Sequence, residues 1–184
     1  MKNIIAFGAS TSGNSINKQL AAYAAKQTGL QFKMLDLNDF ELPLYSIDKE
    51  NDTGFPQKLV EFHQLIKEAD GIIISFAEHN GAVTAAYKNL HDWISRLERT
   101  AWAYKNMLLL STSPGQGAAQ SALAYAQKSF GISKAIIGGN YSLPSFYQNF
   151  DVTDGIKNPE LKAAFQEQID SFVQHIHSKD EVPI

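Results

Sequence analysis

No cysteine occurs in the 184-residue sequence, which excludes disulfides, thiol chemistry and thiolate metal sites. No run of Lys or Arg occurs either: 16 basic side chains stand against 19 acidic ones, a formal net charge of −3. That balance argues against nucleic-acid and anionic-membrane partners. Long apolar runs are missing too. The opening MKNIIAFGAS has too short an apolar stretch for a secretory signal, and no segment is long enough to span a bilayer. These absences lead to the expectation of a cytoplasmic protein. Linkers, charge blocks, low-complexity tracts and internal repeats are also lacking, so residues 1–184 read as one domain with an ample core.

What is present is a rhythm of short, continuous apolar runs: NIIAFG (3–8), GIIISFA (71–77), NMLLLST (106–112) and KAIIGG (134–139), with QFKMLDL (31–37) a less uniform fifth. Runs without polar alternation indicate strands covered on both faces, as in a parallel sheet. Helical spacing fills the stretches between them. Leu59, Phe62, Ile66 and Ala69 mark one apolar face. Leu90, Ile94 and Leu97 mark a second, and Leu161, Phe165, Ile169, Phe172 and Ile176 a third. Pro56 and Pro159 stand where a first helical turn accepts proline. The alternation predicts a three-layer α/β/α sandwich of flavodoxin-like type, with a five-stranded parallel sheet of order 2-1-3-4-5. Ligands then bind beyond the carboxyl ends of the strands, which directs attention to loops 8–15, 38–55, 76–84, 111–117 and 139–155.

The first of these loops, GASTSGNSINKQLA (8–21), joins a buried strand to a helix. A helix N-terminus offers free N–H groups and a positive dipole end, so a phosphate fits there without a basic residue. Ser10, Thr11, Ser12 and Ser15 add hydroxyls, and Asn14 and Asn17 add amides. The plainer alternative is that Asn14 or Ser15 only caps the helix. No G-x-G-x-x-G is present. GASTSGNS is one residue from the G-x-x-x-x-G-K-[ST] nucleotide loop, with Asn14 in the place of its lysine. A P-loop-like nucleotide-binding protein is therefore the weaker rival to a phosphate monoester held by neutral donors.

ADGIIISFAEHNGAVTAAYKNLHDWISR (69–96) carries the most information. It resembles the NADPH-dependent FMN reductase family, which shows a strand, P-E-Y-N, then a helix ending in K-N-A-I-D-W-x-S-R. The corresponding residues are Ala77-Glu78-His79-Asn80 and Lys88 to Arg96. DLNDFELPLYSIDKE (36–50) is similar to the family's L-P-L-Y-x-x-D segment, SINKQLA (15–21) to its S-x-N-x-x-L-A, and STSPGQGAAQSAL (111–123) to its fourth loop. The family's first loop reads G-S-x-R, and the arginine is missing here. Ala77, His79 and Thr84-Ala85 replace proline, tyrosine and proline-glycine, which bears on the acceptor and the nicotinamide more than on the flavin.

The resemblance implies an FMN-binding oxidoreductase with NADPH or NADH as donor. Its small-molecule acceptor would be a quinone, an azo compound, a metal oxyanion or free flavin. It also implies a homodimer or homotetramer. Phosphate contacts are expected from Ser10, Ser12, Asn14, Ser15 and Asn17. Ring contacts are expected from Glu78, His79, Asn80 and Gly81, with Ser113, Pro114, Gly115, Gln116 and Gly117 on the other rim. Gly81, Gly115 and Gly117 suit close backbone approach. The cofactor carries the chemistry, so no side chain is required as acid or base. A flavodoxin-like electron carrier without turnover is the alternative.

The remaining constellations read as structural. Lys88 and Asp92 form a helical ion pair, Trp93, Trp102 and Tyr104 serve packing or subunit contacts, and His63 lies at a helix surface. His175 and His177, two apart on a helix, make a poor metal pair. Phe146, Tyr147 and Phe150 in SLPSFYQNFD (142–151) suit packing or an interface better than a ligand wall.

Overall fold

The computed structural model describes residues 2–178. Its elements are β1 (Asn3–Ala9), α1 (Ile16–Gln27), β2 (Gln31–Met34), a 3-10 turn (Leu37–Phe40), α2 (Ile47–Thr53), α3 (Gln57–Glu68), β3 (Gly71–Phe76), β4 (Glu78–His79), β5 (Ala82–Val83), α4 (Ala85–Leu97), β6 (Asn106–Thr112), α5 (Gln120–Ile132), β7 (Ile136–Leu143), α6 (Phe146–Asn149), β8 (Phe150–Asp151), β9 (Gly155–Ile156) and α7 (Pro159–Ser178). Five strands form one parallel sheet, β2-β1-β3-β6-β7. With the two short antiparallel hairpins β4-β5 and β8-β9 set aside, this is the expected order.

The continuous apolar runs are explained by burial on both faces. β3 and β6 are buried along their whole length, and β1 is buried after Asn3. Because alternate side chains leave a strand on opposite sides, Ile5 and Phe7 join one core with α3, α4 and α5. Ile4 and Ala6 join the other, with α1 and α7. The helical stripes behave as their spacing requires: Leu59, Phe62, Ile66, Ile94 and Phe172 are all fully buried. Each such side chain contributes about 1.5–3 kcal/mol relative to exposure. α7 lies directly on β7, where a Cβ at Gly139 would come within 2.5 Å of the Gln168 carbonyl oxygen.

One expectation needs correction. His63 is buried rather than superficial, because α3 packs against α4, whose C-cap Glu98 brings Oε2 to 2.9 Å from His63 Nε2. Of the three aromatics after β7, Phe146 and Phe150 are buried and stacked with centroids 4.7 Å apart, but Tyr147 is 68% exposed. Trp93 and Trp102 are buried packing residues, whereas Tyr104 is exposed. Among the described residues no helix is long and apolar enough to cross a membrane.

Candidate functional site

The loops after β1, β3, β6 and β7 enclose an open cleft of about 230 Å³. It is lined by the expected Ser10, Ser12, Asn14, Ser15, Asn17, Glu78, His79, Ser113 and Pro114, joined by Ile16, Ala77, Thr112 and Tyr147. The start of α1 sits hard on the end of β1: a Cβ at Gly8 would come within 2.5 Å of the Lys18 nitrogen. Ser15 caps the helix, its hydroxyl accepting from Lys18 N at 3.2 Å. The N–H groups of Ile16 and Asn17 then have no acceptor within the helix, and the positive end of the dipole faces the cleft. Ser12 and Asn14 are exposed beside them. No lysine or arginine lines this cradle. Lys18 is ion-paired with Asp36 instead, and its ammonium holds the Asp36 carboxyl below the usual range.

The side chain of Asn17, which lines the cleft, is engaged within the protein. It is 2% exposed and donates to Thr112 O at 3.1 Å while accepting from Ser75 Oγ at 2.7 Å and Thr112 N at 3.1 Å. It is the strut that fixes α1 to β3 and β6 beneath the cradle. Glu78 is committed too. The N-cap of α5 is Ala119, which cannot cap a helix with its methyl group, and Glu78 Oε2 accepts from Ala122 N at 3.1 Å in its place. A carboxylate is well matched to those free N–H groups.

The segment after β3 is a hairpin, β4-β5, with His79 paired to Ala82. Asn80 and Gly81 have φ of 54° and 75°, the paired left-handed values of a type I′ turn, which favours Asn-Gly. His79 faces the cleft, whereas Asn80 and Gly81 lie on the turn beyond its lining. On the β6 side, Ser113 Oγ donates to Gly115 O at 3.2 Å. Gly115, Gln116 and Gly117 are exposed and stand outside the lining. A Cβ at Gly81, Gly115 or Gly117 would meet no protein atom within 4 Å, so a flat ligand can approach the backbone there.

Just beyond, Ala118 and Ala119 are buried with φ of 53° and 57°. Left-handed conformations of this kind cost about 1–2 kcal/mol per residue and are characteristic of functional loops. Ala118 O is held by the hydroxyls of Ser111 and Ser142 at 2.7 and 2.8 Å.

The K-N-x-x-D-W-x-S-R residues bring nothing to the cleft. Lys88 and Asp92 form the expected ion pair on the exposed side of α4. Asn89, Trp93 and Arg96 clamp loop 42–50 instead. Asn89 Nδ2 donates to Leu42 O and Pro43 O and its Oδ1 accepts from Tyr45 N, while Trp93 Nε1 donates to Pro43 O. Arg96 makes a two-pronged contact with Glu50 at 2.9 and 3.1 Å, which lowers the Glu50 carboxyl, and Tyr45 donates to the same carboxylate. Between residues 37–42, Thr11 and α4 lies a separate cavity of about 390 Å³.

Tyr147 is the lining residue that sequence reasoning assigned elsewhere. Composition gave no means of telling it from Phe146 and Phe150, since all three are large aromatics within five positions.

A family model described as NADPH-dependent FMN reductase matches residues 2–148. The chain is 38% identical to an NADPH:quinone oxidoreductase of Arabidopsis thaliana over 93 residues, 50% of this chain and 46% of that protein. It is 36% identical to a 2-hydroxy-1,4-benzoquinone reductase of a Burkholderia species over 103 residues, 55% of each chain. These matches span about half the length of either relative. Among solved structures, FerB, a flavoenzyme NAD(P)H:(acceptor) oxidoreductase from Paracoccus denitrificans, superposes with a TM-score of 0.81 over 97% of this chain and 98% of that one. At 20% identity that likeness shows the fold.

Proposed function

Because this chain belongs to the NADPH-dependent FMN reductase family, we propose that it binds FMN in the cleft at the start of α1 and is a cytoplasmic NAD(P)H-dependent oxidoreductase with a quinone acceptor. The observation that carries this reading is the cradle itself. The start of α1, Ser10, Ser12, Asn14 and Ser15 line one cleft, and glycine-rich backbone free of side-chain bulk stands on the rim. A phosphate monoester suits such donors, and a flat ring suits the space between His79–Gly81 and Ser113–Gly117.

Bound there, FMN supplies the hydride acceptance and electron delivery of the reaction. The protein's residues bind and orient. Asn17 holds the floor of the cradle, Glu78 fixes the hairpin to α5, and the strained Ala118-Ala119 corner sets the opposite rim. A quinone is favoured among the possible acceptors because both relatives described above are named for one. A homodimer is part of the proposal. The clamp on α4 holds Leu44 and Ile47 out to solvent at 73% and 49% exposure, as apolar anchors for a second copy.

The test is anaerobic spectroscopy of the FMN-loaded protein. NADPH or NADH should bleach the oxidised flavin band, and 1,4-benzoquinone should restore it. Binding without bleaching by either donor would point to an electron carrier instead.

A further inference from the structure

β7 is followed by three aromatic residues, and the fold buries two of them. Phe146 and Phe150 are 3% and 6% exposed, but Tyr147 between them is 68% exposed and lines the cleft with Ser10, Ser12, Asn14 and His79. Its position is fixed. The four-residue α6 is tied to the β6 loop by Ser145 N to Gly115 O at 2.9 Å and by Phe146 N to Ser113 O at 3.0 Å. Asn149 Nδ2 reaches back to Pro144 O at 2.9 Å, and Lys157 Nζ lies 3.4 Å from Tyr147 O. Phe146 supports the ring edge-on at a centroid distance of 5.6 Å. A large aromatic on an anchored backbone, exposed at a polar cleft, offers its face to a ligand with a flat ring. Among the described residues no lysine or arginine lines the cleft, which leaves room for ring packing to contribute to the affinity.

We propose that Tyr147 is a ligand-binding residue of this cleft, whose ring packs against bound FMN and covers it from the β7 side. The inference rests on the flavin reading above. It adds a residue that comes from neither of the rims read from the sequence.

Fluorescence titration of the full-length protein with FMN, using wild type, Tyr147→Phe and Tyr147→Ala, tests it. A tyrosine in contact with a flavin quenches its emission by electron transfer, and phenylalanine does not. The emission of bound FMN should therefore rise in both variants. FMN affinity should fall about tenfold in Tyr147→Ala and stay within about twofold of wild type in Tyr147→Phe. Tyr147 is mostly exposed, so thermal melts should show both variants folded. Unchanged emission in both overturns the proposal whatever the affinities, because a merely structural role for α6 moves affinity alone. Wild-type protein that binds no FMN would sink the flavin reading itself, and Tyr147's role with it.

Discussion

His91 lies on α4 with its ring stacked on Trp102, 6.1 Å away and inclined by 12°. Nδ1 is 3.4 Å from the Tyr87 hydroxyl, and Nε2 is 3.3 Å from that of Ser129. Burial pushes its pKa below the ordinary imidazole value, with smaller contributions from Asp92, which raises it, and Lys88, which lowers it further. The unfolded chain takes up this proton near about pH 6.5, and the folded chain only at lower pH. Stability from His91 is therefore fully present above about pH 6.5 and declines as pH falls from there through the lowered folded value. The urea midpoint should drop between about pH 7.5 and about pH 5.5, and His91→Leu should flatten that drop. Equal slopes in both proteins would show that another group is responsible. The lowered carboxyls of Asp36 and Glu50 act only below about pH 5.

At the scale of elements, α4 serves as the holder of loop 42–50. Asn89, Trp93 and Arg96 follow one another along a single helix face, and each meets that loop. Asn89→Ala removes three hydrogen bonds and leaves Leu42 and Pro43 carbonyls to find water, at a cost of about 1–3 kcal/mol. Hydrogen exchange should then quicken across residues 42–53, and unchanged protection there would show that Trp93 and Arg96 suffice.

Strands β1, β3 and β6 were legible in the sequence because burial on both faces leaves an unbroken apolar run, whereas β2, exposed over Gln31–Lys33, left only a less uniform one. The long helices were legible because a single buried stripe repeats every 3.6 residues. α2, α6 and the β4-β5 hairpin are too short for any period to register. Only Asn80-Gly81 carried a local signal for its turn. Asn17 and Glu78 have the chemistry of ligand contacts, yet they bond to residues far along the chain, Asn17 to Thr112 and Glu78 to Ala122. Local sequence could not announce those partners, and it could not announce the outward turn of Tyr147.

Across the whole molecule, the parallel order brings the ends of β1, β3, β6 and β7 to one side of the sheet. A neutral cradle, two rims and Tyr147 meet there. This cradle is proposed to receive the phosphate of FMN. The most direct test is a pair of equilibrium titrations, FMN against riboflavin, each at low and high salt. FMN should bind at least about tenfold more tightly than riboflavin through charge-assisted hydrogen bonds. Its affinity should change little with salt, because among the described residues no lysine or arginine lines the cleft to be screened from the phosphate. Equal affinity for the two flavins, or no binding of either, would contradict the account.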